Sequence, residues 1–348
     1  MKKLLPKLAL ALVPFLLYFA IFAMFDPYNY FGLQKTTNTN NPISRVQGFL
    51  KEPSDHIILG DSRLAHFDAD LIKQASGEQY YNLAFGGASL EESLDLFEYA
   101  YAQNPNLKHV VLGLSFYTLN HAYGSVSRMA TIETQLENPF AYLFNLEYNV
   151  NMLTNIANKL SGAADVTEEE TRNPLPDDLL DASGAELSYR RDLLLYATQL
   201  YGNCAQPGTL GTLSAQQQTA LREKGEGALA LQNELLSVQP ADAKFTINQK
   251  QLDRLLKLVE TCREKGIALT IVLPPMDQSV RDLVCRPLGI DKQMQDVLTQ
   301  LTASGAHVLD YEWTNTLGFT EAQFYDGFHL DTRTGLPYFT ETLFREVA

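Results

Sequence analysis

Five short apolar runs alternate with stretches of helical period, and that rhythm limits the chain to one class of fold. Residues 56–60, His-Ile-Ile-Leu-Gly, show no polar–apolar alternation, the pattern of a strand buried on both faces. Residues 80–85, 110–114, 267–273 and 306–309 repeat it. Between them lie a short helical stretch at 70–75 and a stripe of Leu90, Leu94, Phe97 and Tyr101. Two further stripes, Leu252/Leu255/Leu256/Val259 and Met294/Val297/Leu298/Leu301, stop at Gly266 and Gly305, where a helix end favours glycine. Strands separated by helices give a parallel sheet covered on both sides. The expected fold is a three-layer α/β/α sandwich, assembled from 54–121 and 244–348.

The rhythm fails between 122 and 243. Helical pieces at 142–160, 187–200 and 216–236 are joined there by acidic, proline-rich chain such as 167–178. This insertion reads as a helical cap or partner-docking subdomain; a lid over the site and a plain structural insertion both remain open. Residues 26–53, rich in Asn, Thr, Pro and Tyr without a clear period, read as a stalk or tether.

Residues 1–25 form a cytoplasmic tip and a transmembrane helix. Lys2, Lys3 and Lys7 lead into residues 8–25, which carry no charge and at 1.5 Å per residue reach about 27 Å, near the hydrocarbon thickness of a bilayer. Pro14 is tolerated in a membrane helix. A cleaved signal peptide would end at a small-x-small site, which Ala23-Met24-Phe25-Asp26 does not provide, so an uncleaved anchor is the preferred reading. The leading lysines keep the N-terminus cytoplasmic and place the rest outside the cell membrane as a single-pass protein.

With those three lysines set aside, 41 acidic residues face about 24 basic ones, so the exported part carries roughly −17 and repels nucleic acid. Cys204, Cys262 and Cys285 are too few for a disulfide framework, although one bridge is open to them. No zinc-ligand spacing appears, and no cofactor is implied.

In open parallel sheets the reacting groups gather at the carboxyl ends of the strands. The first run ends in Gly60-Asp61-Ser62-Arg63, a serine on a turn where free backbone N–H groups can steady an oxyanion; the same letters also spell an ordinary turn. The second leads through Asn82 to Gly86-Gly87, where backbone can approach a ligand. After the last run, Asp326 precedes His329 by three residues, so the carboxylate can fix one ring nitrogen while the other faces a nucleophile.

On these blocks the chain resembles the SGNH (GDSL-like) hydrolases, over roughly 54–103, 107–120 and 246–348. The resemblance implies a flavodoxin-like parallel sheet and a catalytic triad of Ser62, His329 and Asp326, with an oxyanion hole from the backbone of Ser62 and Gly87, aided by Gly86. The family's Gly-x-Asn-Asp block departs here to Gly113-Leu114-Ser115-Phe116, which leaves Ser115 or Asn120 as substitute donors. That departure and the anchor make the chain similar to a branch that works beside membrane-bound O-acyltransferases, including alginate O-acetylation proteins and the teichoic-acid D-alanine transfer protein.

The branch implies acyl transfer through Ser62 from an acylated carrier to hydroxyls of an envelope polysaccharide or teichoic-acid-like polymer, with a membrane-bound O-acyltransferase as partner. The alternatives are a carbohydrate O-acyl esterase with the same triad and a non-catalytic envelope scaffold. Arg63 and Asn120 are further candidates for holding substrate; Arg63 has a second role open to it, pairing with an acid. His66 reads as a surface or cap residue, and His121 as a candidate for the rim. His56, His109 and His307 read as structural, and Tyr311 and Trp313 as core or as walls of a sugar groove.

Overall fold

The computed structural model describes residues 4–33, 41–121, 127–161, 245–286, 289–320, 323–324 and 328–348. In chain order its main elements are α1 (Leu4–Met24), α2 (Pro42–Lys51), β1 (His56–Leu59), α3 (Ala69–Ser76), β2 (Tyr81–Asn82), α4 (Leu90–Gln103) and β3 (His109–Gly113). There follow α5 (Met129–Glu137), α6 (Pro139–Leu143), α7 (Leu146–Ser161), α8 (Gln249–Lys265), β4 (Ala268–Leu273), α9 (Ile290–Ala303), β5 (His307–Asp310) and α10 (Gly335–Glu346). The chain divides into two compact units, one within Met1–Glu52 and Arg128–Thr171, the other within Pro53–Ser127 and Arg172–Ala348.

The second unit is an α/β domain on a five-stranded, all-parallel sheet of order β2-β1-β3-β4-β5. Its strands are the five apolar runs, and Ile57, Ile58, Val110, Val111, Ile271 and Val272 are fully buried, as strands covered on both faces must be. Past the short β2, Leu83 and Phe85 N–H still donate to Ile58 O and Gly60 O, while Ala84 N–H turns onto Asn82 Oδ1 in an Asx turn. The helices begin and end where the caps say. Ser89 accepts from Glu92 N–H to open α4, and Gly266, at φ 69°, closes α8 in the left-handed conformation. Strand order reverses between β1 and β3, so the carboxyl ends of these two strands frame the crevice where open α/β sheets bind ligands.

Head and tail of this domain are clamped by aromatic packing. α3 packs on α10, and Phe67 meets Phe339 and Phe344 at ring distances of 5.8 Å while Tyr80 meets Phe344 at 4.9 Å. Burying each such ring stabilises the fold by about 1.5–3 kcal/mol.

The first unit differs from the expected stalk. α2 opens on an Asn41 cap and buries Ile43, Val46 and Phe49, so 26–53 supplies core residues rather than a solvated tether. Just past α1 the chain folds around buried Asp26, whose carboxylate accepts from the N–H groups of Tyr28 (3.2 Å) and Phe31 (2.9 Å) and from the Tyr142 hydroxyl. Tyr142 stacks on Tyr30 at 4.2 Å, and Tyr30 in turn donates to Gln135 O. Thus the first part of the expected insertion, α5–α7, belongs with the N-terminus. The helix expected over 142–160 is broken at Asn145 into α6 and α7. The pieces at 187–200 and 216–236 lie outside the described residues.

Among the described residues no helix is long and apolar enough to cross a membrane; of α1, the side chains of residues 4–6, 8 and 9 lie outside that description. Every large apolar side chain that stands exposed among the described residues belongs to this first unit, except Tyr338. Cys262 and Cys285 are buried and form no disulfide among the described residues, and burial pushes the Cys262 thiol up to about 12; Cys204 lies outside the described residues.

Candidate active site

The turn after β1 is shaped by two glycines. Gly60 has φ 140°, and a Cβ there would meet the backbone of Gly113 at 3.2 Å; a Cβ on Gly113 would meet Leu64 Cδ1 at 2.7 Å. Leu64 N–H donates to Asp61 O at 3.2 Å, which closes a turn with Ser62 in its second position. Asp61 is buried and stiffens that turn. Its Oδ1 accepts from Arg63 N–H at 3.0 Å and its Oδ2 from the Tyr117 hydroxyl at 2.6 Å. Asn82 donates to Leu64 O at 2.9 Å, so the end of β2 holds the far side of the same turn.

Ser62 Oγ lies 2.7 Å from His329 Nε2, across 267 positions of sequence. The histidine rides on a segment fixed on both flanks. Phe328 is buried against Phe116 and Tyr117, at ring distances of 6.0 and 5.7 Å, and Leu330 bridges to Phe324. Asp331 then accepts from the N–H groups of Arg333, Thr334 and Gly335, which nails the segment to the start of α10. A hydroxyl at this distance from an imidazole nitrogen can lose its proton to the ring as its oxygen attacks an electrophile.

Beneath Ser62 the side chain of Arg63 runs inward. It is 1% exposed, and its guanidinium donates to Glu312 Oε1 at 2.5 Å, to Ser115 Oγ at 3.2 Å and to the carbonyls of Pro274 and Pro275 at 2.6 Å. It also lies 5.6 Å from the Phe328 ring centroid, a cation–π distance. One side chain thereby ties together the carboxyl ends of β1, β3, β4 and β5 and the segment that bears His329. Burial works against the Arg63 charge, but Glu312, Tyr117 and Asp61 together outweigh it and hold its pKa above the ordinary arginine value. Burial raises the Glu312 carboxyl to about 7, with Arg63 pulling the other way. Burial also drives the Tyr117 hydroxyl well up, so it stays a donor to Asp61.

Three of the expected residues have other work. Arg63 is enclosed by protein partners and is not a substrate ligand. Ser115, the expected substitute oxyanion donor, is buried with its hydroxyl accepting from Arg63, because the cation beneath Ser62 has stronger need of an acceptor. Asn120 is also buried; it bridges to Ile247 and accepts from Thr246 N–H at 3.4 Å, which joins two loop segments.

Gly86 and Gly87 stand exposed in the turn after β2, Gly87 at φ 71°, and Phe85 N–H donates to Gly60 O, which keeps that turn beside the one carrying Ser62. Asp326 lies outside the described residues.

His66 is half-buried, with an Nε2 that has no hydrogen-bond partner among the described residues, and His121 is exposed. His56, His109 and His307 open β1, β3 and β5, at the sheet edge opposite Ser62. Tyr311 is core, donating to Glu346, while half-buried Trp313 packs on Phe116 at 5.7 Å.

Asp61, Tyr117, Glu312 and Phe328 have site roles that local patterns do not announce. The one sequence signal for the ion pair is that Arg63 and Glu312 each follow an apolar run, 56–60 and 306–309, by three residues. Among the described residues no group of three or more His, Cys, Asp or Glu side chains is arranged to hold a metal ion. No protein-family model matches this chain, nor does any curated protein sequence.

Proposed function

We propose that the chain is a membrane-anchored, SGNH-like serine O-acyltransferase of the cell envelope, with the three-layer, flavodoxin-type arrangement of that family. The observation that carries the reading is the 2.7 Å approach of Ser62 Oγ to His329 Nε2 at the carboxyl edge of a parallel sheet whose order reverses beside Ser62. Ser62 Oγ attacks the carbonyl carbon of an acyl carrier as its proton passes to His329 Nε2. Asp326, three residues upstream, holds the resulting imidazolium. The tetrahedral oxyanion is met by backbone N–H groups of Ser62 and Gly87. The carrier oxygen leaves with the proton from His329, and Ser62 keeps the acyl group as an ester. A hydroxyl of an envelope polysaccharide or teichoic-acid-like polymer then attacks that ester, His329 again taking and returning the proton. The acyl group reaches the site by way of a membrane-bound O-acyltransferase partner.

With Ser115 buried, accepting from Arg63 and hydrogen-bonded to Tyr117, the oxyanion rests on backbone donors alone. Removing one donor from such a hole costs on the order of 10²–10³-fold in rate. That favours a transferase, which holds its ester until an acceptor arrives, over a fast esterase. The anchor is supported by the charge-free run of 8–25 behind Lys2, Lys3 and Lys7, and by the exposed leucines of α1.

The test is covalent labelling of the full-length protein with a fluorophosphonate. Ser62 becomes labelled, Ser62→Ala abolishes the label, and His329→Gln slows labelling by about 10²–10⁴-fold. A folded protein whose intact Ser62 resists the reagent would leave only a scaffold. Release of acetate from acylated polysaccharide at the same rate with and without an acceptor sugar would favour the esterase.

A further inference from the structure

We infer that the corner between α6 and α7 dips into the outer leaflet of the bilayer alongside α1, so that the first unit is seated in lipid rather than merely tethered to it. The inference rests on the reading of α1 as a membrane anchor.

The depth follows from side-chain contacts along α1. At its outer end, Asn155 of α7 donates to Phe25 O at 3.4 Å and Lys159 Nζ lies 5.5 Å from the Phe25 ring. Seven residues further in, the Tyr18 hydroxyl donates to Leu143 O and to Asn149 Oδ1, both at 2.7 Å, and Phe144 packs on Phe15 and Tyr18 at about 6 Å. Helix α7 thus runs parallel to the outer half of α1. At 1.5 Å per residue Tyr18, and with it the first turn of α7, lies about 10 Å deeper than Phe25. Lys159, placed at the level of Phe25 and Asp26, marks the water boundary, where a long basic side chain can reach up to the headgroups.

The chemistry of the corner suits that depth. Residues 138–146 contain no charge. Tyr142 and Leu143 turn inward, while Phe140, Phe144 (59% exposed) and Leu146 (80%) point outward. Val150, Leu153 and Leu160 continue the exposed face along α7 at helical spacing, and Phe140 stacks on Phe144 at 6.3 Å. Glu147 is exposed in the first turn of α7 but lies about 100° around the helix from Leu146, off this stripe. The polar groups at the same level satisfy one another. Asn149 donates to Leu143 O and Asn145 O and accepts from Tyr18, the pairing a polar group needs where no water can serve it. The apolar surface stops at α5, whose exposed positions are Ala130, Thr131, Glu133, Thr134 and Glu137. An apolar face of this extent, continuous with an anchor helix and bounded by a lysine and two glutamates, fits acyl chains.

The experiment uses the full-length protein carrying Trp313→Phe, in phosphatidylcholine–phosphatidylglycerol vesicles with and without brominated acyl chains. A single tryptophan is introduced by Leu12→Trp, Phe144→Trp, Leu153→Trp or Tyr338→Trp. The expected result is at least twofold quenching for Leu12→Trp, Phe144→Trp and Leu153→Trp, and none for Tyr338→Trp. If Leu12→Trp is quenched while the α6–α7 tryptophans emit like Tyr338→Trp, the anchor stands and the inference is overturned. A blue-shifted but unquenched emission at 144, with cross-linking to a second chain, also overturns it and assigns the face to a protein. No quenching at Leu12→Trp overturns the anchor and the inference together. Should Phe144→Trp fail to fold by circular dichroism, Leu146→Trp replaces it at the same depth.

Discussion

The two units of this chain differ in what they leave outside. The sheet domain keeps Ile57, Val111 and Val272 inside and brings its functional polar groups to one edge. The first unit buries Ile43, Val46 and Phe49 but also Asp26, Gln135 and a knot of tyrosines, and shows leucine and phenylalanine outside. On the proposed reading the same hydrophobic effect gives both results, with water around one unit and lipid around the other. The contrast teaches that burial means little until the surrounding medium is named.

The largest expected effect separates the two by chemistry. His329→Gln lowers fluorophosphonate labelling of Ser62 by about 10²–10⁴-fold and leaves partition into detergent unchanged, because the side chain serves only the sheet-domain edge. If labelling survives, the Ser62–His329 contact is not the working one. Next is Arg63→Ala, which strands Glu312 as a buried, unpaired carboxyl; about 3–5 kcal/mol of sheet-domain stability is lost, read by urea denaturation. Unchanged stability would mean that the ion pair does not hold the strand ends together.

In the first unit, Asp26→Ala leaves the N–H groups of Tyr28 and Phe31 and the Tyr142 hydroxyl without their acceptor. Each orphaned donor costs about 1–3 kcal/mol, and limited proteolysis at 25–33 should speed up while Ser62 labelling persists. Equal protease resistance in mutant and parent would remove Asp26 from its central place.

The smallest effects have opposite signs in the two units. Burial, followed by the charges of His56 and His307, presses the His109 imidazole down to about 4. The unfolded chain therefore takes up that proton first as pH falls. This share of stability is complete above about pH 6.5 and is lost as pH drops through about 4. Burial raises the Asp26 carboxyl, its hydrogen bonds opposing, so its share is present in acid and lost as pH rises through its folded value. Glu312, in the sheet domain and raised to about 7, acts in the opposite sense to His109, so the test compares hydrogen exchange of the parent and His109→Gln at pH 4.5 and 7. The substitution should remove the acid-side loss in the sheet domain and leave the first unit unchanged, and an identical pH response in parent and variant would refute the assignment.

The strands were legible because a strand buried on both faces carries its burial in consecutive letters, as His56-Ile57-Ile58-Leu59 does. Ser62 and His329 were legible because chemistry in such sheets is confined to strand ends. Arg63 with Glu312 was not, since its partner lies 249 positions away and a buried charge reads like a surface one until its surroundings are known. The folding of 26–53 was hidden for a related reason. Ile43, Val46 and Phe49 make a face only once α5 supplies the other side. The break between α6 and α7 had a signal in Asn145, whose side chain accepts from Tyr148 N–H at the start of the second helix.

The clamp of α3 on α10 has a consequence for how such a chain is made. The Ser62 hydroxyl meets the His329 imidazole only once residues 328–348 have been made and α10 has docked on α3. A chain stopped before that segment has no imidazole beside Ser62, so the docking of α10 is the step that assembles the pair.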